Sequence, residues 1–245
     1  MQASHVLSPR QRSAFLDVYR GVAVLLMMIF HFCWDLREFG FLSFAVHDPF
    51  WVYFRRAILL LFLSAIGWSA YLSILKTTTR KTPPLHWQRD GKLFASAAII
   101  SVVTYFAMPN QWIYFGILHF IFIASILTRP LVRWPLLSAL CGAGIISIYQ
   151  NTGWLHFPQA FSLITQYIPL PNRTLDIVFP FPWIGVVLIG PLLGYLGWQY
   201  VTLPQSILTR LLAFMGRHAL PFYLLHQLIL FSLVAVFKWL YINLI

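Results

Sequence analysis

Seven runs of apolar residues, separated by charged, Pro-containing or turn-forming stretches, organise the chain. They cover residues 15–36, 54–75, 93–108, 112–128, 134–149, 181–200 and 219–242. A membrane-spanning helix needs about 20 mostly apolar residues, so each run predicts a span, the third and fifth being short. The most polar connection, 76–92, holds Pro83 and Pro84. The longest, 150–178, has room for a re-entrant segment. Residues 206–215 read as a short amphipathic helix lying along the membrane surface before the last span. The pattern predicts an all-α polytopic membrane helix bundle of about seven transmembrane helices. It forms one domain over residues 1–245, with 1–13 as a cytoplasmic tail.

Composition supports this picture. Hydrophobic residues make up 60% of the chain and charged residues 9%, against about 25% charged in soluble domains. Aromatics reach 18%, which suits anchoring at the headgroup level. A net charge of +11 invites a nucleic-acid reading, but the basic residues sit at the ends of apolar runs and form no basic domain, so no nucleic-acid partner is expected. With a cytoplasmic N-terminus, 12 of the 17 Lys/Arg fall on the inner side, Arg20, Arg129 and Arg217 among them. An odd number of spans then puts the C-terminus outside, in a multi-pass protein of the cytoplasmic (inner) membrane. Cys33 and Cys141 lie in apolar runs without ligand spacing, and neither a metal nor a disulfide is expected. The first run follows polar residues, contains Arg20 and lacks a small-residue cleavage site, unlike a signal peptide.

The first run carries an unusual polar stripe. Asp17, Arg20, His31 and Asp35 all lie within it, and ionisable groups cost about 2.5–3.5 kcal/mol each at the centre of a span. At about 100° per residue, Arg20 and His31 fall about 20° apart around the helix, and Asp17 and Asp35 each about 60° from Arg20. The four share one face, and Arg20 and His31 are about 16 Å apart along the axis. Arg20 can grip a cytoplasmic anion while His31, with an ordinary pKa near 6.5, moves a proton farther out. Asp35, one turn on, is placed to orient His31. The plainer alternative is a helix with ordinary ends: Asp17 capping the start, Arg20 snorkelling, Asp35 facing water.

Three more groups stand in apolar settings. His119 lies inside the fourth run, and Tyr223, His226 and Gln227 share adjoining faces of the last. Each alone can be a packing hydrogen bond. Histidines in three spans together suggest a polar cavity beside the first. Trp183 opens the sixth run, whose Gly185, Gly190, Gly194 and Gly197 suit close helix packing. His47 sits in the loop after the first run and reads either as a solvated loop residue or as a substrate-side catalytic histidine. His5, His86 and His156 read as loop residues. No Walker loop, dinucleotide-binding glycine pattern, zinc helix or nucleophile elbow is present.

The opening from Asp17 through Arg20, Gly21 and His31 to Asp35 resembles that of bacterial proteins related to heparan-alpha-glucosaminide N-acetyltransferase. Further matches are the segments around Gly67, Phe115 to His119, Phe181 to Gly185, and Tyr223 to Gln227. The family resembles a wider superfamily of transmembrane acyltransferases with an Arg, ten residues and a required His near the N-terminus; Arg20 and His31 match that spacing. The resemblance implies a transferase that takes acetyl from acetyl-CoA as co-substrate and modifies a glycan amine or hydroxyl at the outer face. In the mammalian enzyme the position matching His31 is Asn and the catalytic His lies in the following loop, which keeps His47 open as the catalytic residue beside His31.

On this reading His31, Asp35 and His47 are the candidate catalytic residues. Arg20, Asp17, Arg129 and Arg217 are candidates for holding the acyl-CoA, and His119, Trp183, Tyr223, His226 and Gln227 for lining the acceptor cavity. The expected partners are the lipid bilayer, acyl-CoA and an amino-sugar or glycan acceptor, and a homo-oligomer is compatible with them. Two other classes remain open: a small proton-coupled carrier, since intramembrane Asp and His also mark proton relays, and a non-catalytic scaffold. CoA binding separates the first from both.

Overall fold

A computed structural model describes residues 13–75, 87–155, 170–171 and 174–244. Among them the long elements are helices: α1 (Ala14–Glu38), α2 (Pro49–Leu75), α3 (Trp87–Ala107), α4 (Ile117–Leu127), α5 (Pro135–Asn151), α6 (Pro180–Tyr195), α7 (Ile207–Arg217) and α8 (Ala219–Leu244), with a 3₁₀ turn at Trp198–Tyr200. The all-α expectation holds, and every apolar run carries a helix. α1, α2, α3 and α8 are long and apolar enough to cross a membrane, and α4 and α6 are shorter apolar helices. The chain is a multi-pass membrane protein. His5, Arg10, Arg12, Lys76, Arg80, Lys81, His86, His156, Arg173 and most of the expected re-entrant stretch lie outside the described residues.

Several boundaries differ from expectation, each for a physical reason. α3 starts at Trp87, six residues early, and takes Arg89, Asp90 and Lys92 into its first turns. α2 starts at Pro49 and carries Arg55 and Arg56, both exposed, within the helix. α4 has 11 residues because the preceding segment is held in a non-helical path. Thr104 Oγ1 accepts from Ile113 N at 3.0 Å, Ser101 Oγ donates to the Ile113 carbonyl at 2.7 Å, and Thr174 Oγ1 donates to that of Trp112 at 3.0 Å. Non-helical backbone at membrane depth persists where protein groups satisfy it in this way. α6 ends at Tyr195, and Gly197 turns the chain with φ of 81°.

Two compact units divide the chain, and α2 contributes to each: Arg12–Phe62 with Gln199–Ile245, and Leu63–Trp198. In the first, α1 packs on α7 and α8. Ser13 caps α1, its Oγ accepting from Leu16 N at 3.1 Å, and Asp17 in the first turn complements the helix dipole. Val24, Met27, Ile58, Leu212 and Met215 form the core. At the α1–α7 crossing both helices use glycine: a Cβ on Gly21 would meet the Leu212 carbonyl, and one on Gly216 would meet that of Asp17. α7 therefore spends its buried face on α1 and leaves Ile207, Leu208, Leu211 and Phe214 exposed.

In the second unit α5 packs on α6 and α3 on α4. A Cβ on Gly142 would meet the carbonyl oxygen of Gly185, and one on Gly190 would meet that of Ser64. Small residues let these backbones approach, as the sixth run suggested. Ser138, fully buried, donates to the Leu188 carbonyl at 2.6 Å. Asp176 Oδ2 accepts from Ile117 N at 2.8 Å and so serves the first turn of α4.

Candidate active site

The polar stripe of α1 meets α8 in two successive pairs. The rings of His31 and His226 lie 4.8 Å apart, edge to face at 63°. One turn farther along α1, Asp35 Oδ1 accepts from Gln227 Nε2 at 2.8 Å. Asp35 is 1% exposed and His226 6%, whereas His31 is half-buried. Two neighbouring residues of α8 thus engage positions 31 and 35, because side chains four apart on α1 stand one above the other.

His226 is tied down by its own helix. Its Nδ1 lies 2.8 Å from the Tyr223 carbonyl and 3.2 Å from that of Phe222. Carbonyls only accept, so Nδ1 carries the proton and Nε2 presents a lone pair. Nε2 is buried and has no hydrogen-bond partner among the described residues. Nε2 is thus the ring atom left to accept a hydrogen bond. Tyr223, expected to line the cavity, lies with its ring 5.8 Å from that of His226. Asp35, expected to orient His31, is bonded instead to Gln227.

Toward the start of α1, Arg20 Nη1 lies 3.9 Å from Asp17 Oδ1, and Asp17 is buried while Arg20 is partly exposed. Arg217 occupies the last turn of α7 and is exposed. At the other end of α1 an open cleft of about 700 Å³ is lined by Arg37, Glu38, Leu42, Ser43, Phe44 and Ala45. Arg37 is held there between rings, 5.3 Å from Trp34 and 5.4 Å from Phe44, with Nε donating to the Phe44 carbonyl at 2.9 Å. His47 is exposed in the turn leading to α2, where Asp48 Oδ2 accepts from Ala45 N at 3.0 Å.

The remaining candidates belong to the other unit. His119 has both ring nitrogens engaged: Gly116 N donates to Nδ1 at 3.3 Å, and Nε2 pairs with Ser101 Oγ at 3.1 Å. Since Ser101 Oγ donates its own proton to Ile113, His119 Nε2 is the donor in that pair. This is a histidine that secures the start of α4. Arg129 Nη2 lies 2.6 Å from both oxygens of Asp90. Trp183 is half-buried in the first turns of α6. Sequence reasoning missed the Asp90–Arg129 pair and the Asp176 cap, which join residues 39 and 59 positions apart with no periodic pattern linking them.

Fold and site together define a multi-pass helical membrane protein with a histidine pair, one ring buried and one half-buried, between two of its long apolar helices. The chain belongs to the heparan-alpha-glucosaminide N-acetyltransferase catalytic family: the family model described as "Heparan-alpha-glucosaminide N-acetyltransferase, catalytic" matches residues 12–228. The match contains α1, α2 and the His226–Gln227 end of the site. No curated protein and no solved structure matches the chain.

Proposed function

We propose that this protein is a membrane acetyltransferase that takes acetyl from cytoplasmic acetyl-CoA and delivers it to an amine or hydroxyl of a glycan at the outer face of the cytoplasmic membrane. The N-terminus is inside and the C-terminus outside, in keeping with the excess of Lys/Arg on the inner connections. The family supports an acetyl transfer. The observation that carries the residue assignment is the His31–His226 pair, stacked edge to face between two helices with one imidazole lone pair of the buried His226 bare.

His31 is the general base and His226, rather than Asp35, its companion. As the acceptor's nitrogen or oxygen forms its bond to the acetyl carbonyl carbon, His31 takes the departing N–H or O–H proton. The C–S bond breaks, and the CoA thiolate leaves and regains that proton from the imidazolium. His226 Nε2, beside the His31 ring, steadies the charge that develops there. Tyr223 shapes the wall of this site. Arg20, poised by Asp17, and Arg217 hold CoA phosphates, which a guanidinium grips through paired N–H donors. Arg129, also a candidate for holding phosphate, belongs to the other unit, where Asp90 already engages it. His119 and Trp183 contribute by shaping their own unit. The cleft at the end of α1 admits the acceptor, and His47, exposed near it in sequence, is the rival base.

The test is acetyl transfer by the purified protein in proteoliposomes, with glucosamine as acceptor probe, read as CoA thiol release and as acetylated product by mass spectrometry. Release that requires His31 and not His47 is the expected result. Release that survives His31→Ala and stops with His47→Ala moves the base to the loop.

A further inference from the structure

Asp35 and Gln227 share one hydrogen bond and leave two atoms over. Gln227 Nε2 donates to Asp35 Oδ1 at 2.8 Å, while Asp35 Oδ2 and Gln227 Oε1 are both buried and both without a partner among the described residues. An ionised carboxylate and an amide carbonyl are acceptors only, so in that state neither orphan can satisfy the other. Two bare acceptors on one bonded pair in a span are costly, since burying a polar group or a charge without a partner is disfavoured.

One proton removes both defects. A carboxylic acid and a primary amide close a ring of two hydrogen bonds, N–H to one carboxyl oxygen and O–H to the amide oxygen. That ring uses Oδ1 and Nε2, already bonded, together with Oδ2 and Oε1, the two atoms left over. We propose that Asp35 is held as a neutral carboxylic acid, paired with Gln227 through both its oxygens, and that this acid–amide latch is the positioning element that sets α1 against α8 at the His31–His226 pair.

The surroundings favour the neutral form. The other titratable or charged side chains of this part of the contact are His31, Arg37 and Glu38 on α1 and His226 and Lys238 on α8, and Arg37 is taken up by Glu38 at 3.3 Å and by the Phe44 carbonyl at 2.9 Å. Lys238 Nζ donates to the Phe39 carbonyl at 2.7 Å, and no Lys or Arg among the described residues forms an ion pair with Asp35. A carboxyl in an apolar site with no cation to pair with is better kept protonated, where it donates a hydrogen bond. The latch is one turn from the histidine pair on α1 and adjacent to it on α8, so a shift of either helix would be felt at both.

Isotope-edited infrared spectroscopy of the folded protein at neutral pH tests this directly, and six acidic residues keep the spectrum tractable. The wild-type-minus-Asp35→Asn difference should contain a protonated carboxylic acid band that moves with ¹³C-aspartate labelling and shifts in Gln227→Leu. Asn reproduces the ring, donating from its amide to Gln227, so Asp35→Asn should keep the wild-type melting midpoint, while Asp35→Ala should lower it by several degrees. A difference spectrum with only ionised-carboxylate bands overturns the proposal, and so does an Asp35→Asn protein that melts as early as Asp35→Ala or fails to fold. None of these readouts needs a substrate, so their failure would leave the acetyltransferase reading standing, and the failure of that reading would leave the latch.

Discussion

The Tyr223 carbonyl fixes the proton of His226 on Nδ1, at 2.8 Å, and so leaves a bare Nε2 on a ring whose centroid lies 4.8 Å from that of His31. A backbone carbonyl one turn earlier on the same helix thus decides which nitrogen is left as the acceptor, without needing a second-helix partner.

If this pair performs the proton transfer, removing either ring should slow acetyl transfer and leave donor binding alone. His31→Ala is expected to lower the rate by about 10²–10⁴-fold, the usual yield of a positioned base. His226→Ala should lower it by a smaller factor. Thiol release from acetyl-CoA, with calorimetry of CoA on the same preparations, separates the two effects. A fall in CoA affinity matching the fall in rate would argue for lost folding instead.

The α1–α7 crossing depends on having no side chain at two positions. Gly216→Ala and Gly21→Ala each push a methyl into a carbonyl of the other helix, and overpacking of this kind costs about 1–3 kcal/mol. Gly144→Ala is the control, since a Cβ there meets nothing within 4 Å and α5 should tolerate it. Thermal unfolding in detergent should rank both crossing variants well below wild type and the Gly144 variant close to it.

Asp90 and Arg129 form a buried pair, with side chains 8% and 12% exposed. Deleting one partner leaves the other charge stranded, at a cost of about 3–5 kcal/mol, whereas removing both together should cost clearly less than the sum. A double-mutant cycle of Asp90→Asn and Arg129→Met, read by unfolding midpoint, gives the coupling. Additive losses would show that the two side chains do not depend on one another.

Much of this site is legible in the chain. Apolar length locates every helix but α7, which its amphipathic pattern marks, and the spacing of Asp17, Arg20, His31 and Asp35 places them on one face, two of them buried as that face packs on α7 and α8. The adjacency of His226 and Gln227 carries over to two adjacent pairings on α1. Spacing along a helix cannot say which partner lies across from it, and so Asp35 reads as the orienter of His31 until its bond to Gln227 is seen. His119 reads as a cavity residue only because it is a histidine in an apolar run, and that pattern does not show its hydrogen bonds. Its role in holding the start of α4 rests on Ser101 and Gly116, which no periodicity connects to it.

Acetyl-CoA binding to the purified, folded protein, measured by calorimetry for wild type, Arg20→Ala and His31→Ala, tests the account most directly. Saturable binding is expected, weakened about 10–100-fold by Arg20→Ala, the worth of a charge-assisted contact, and little changed by His31→Ala. A folded wild type that binds neither acetyl-CoA nor CoA would contradict the acetyltransferase reading and favour a proton-coupled carrier or a scaffold.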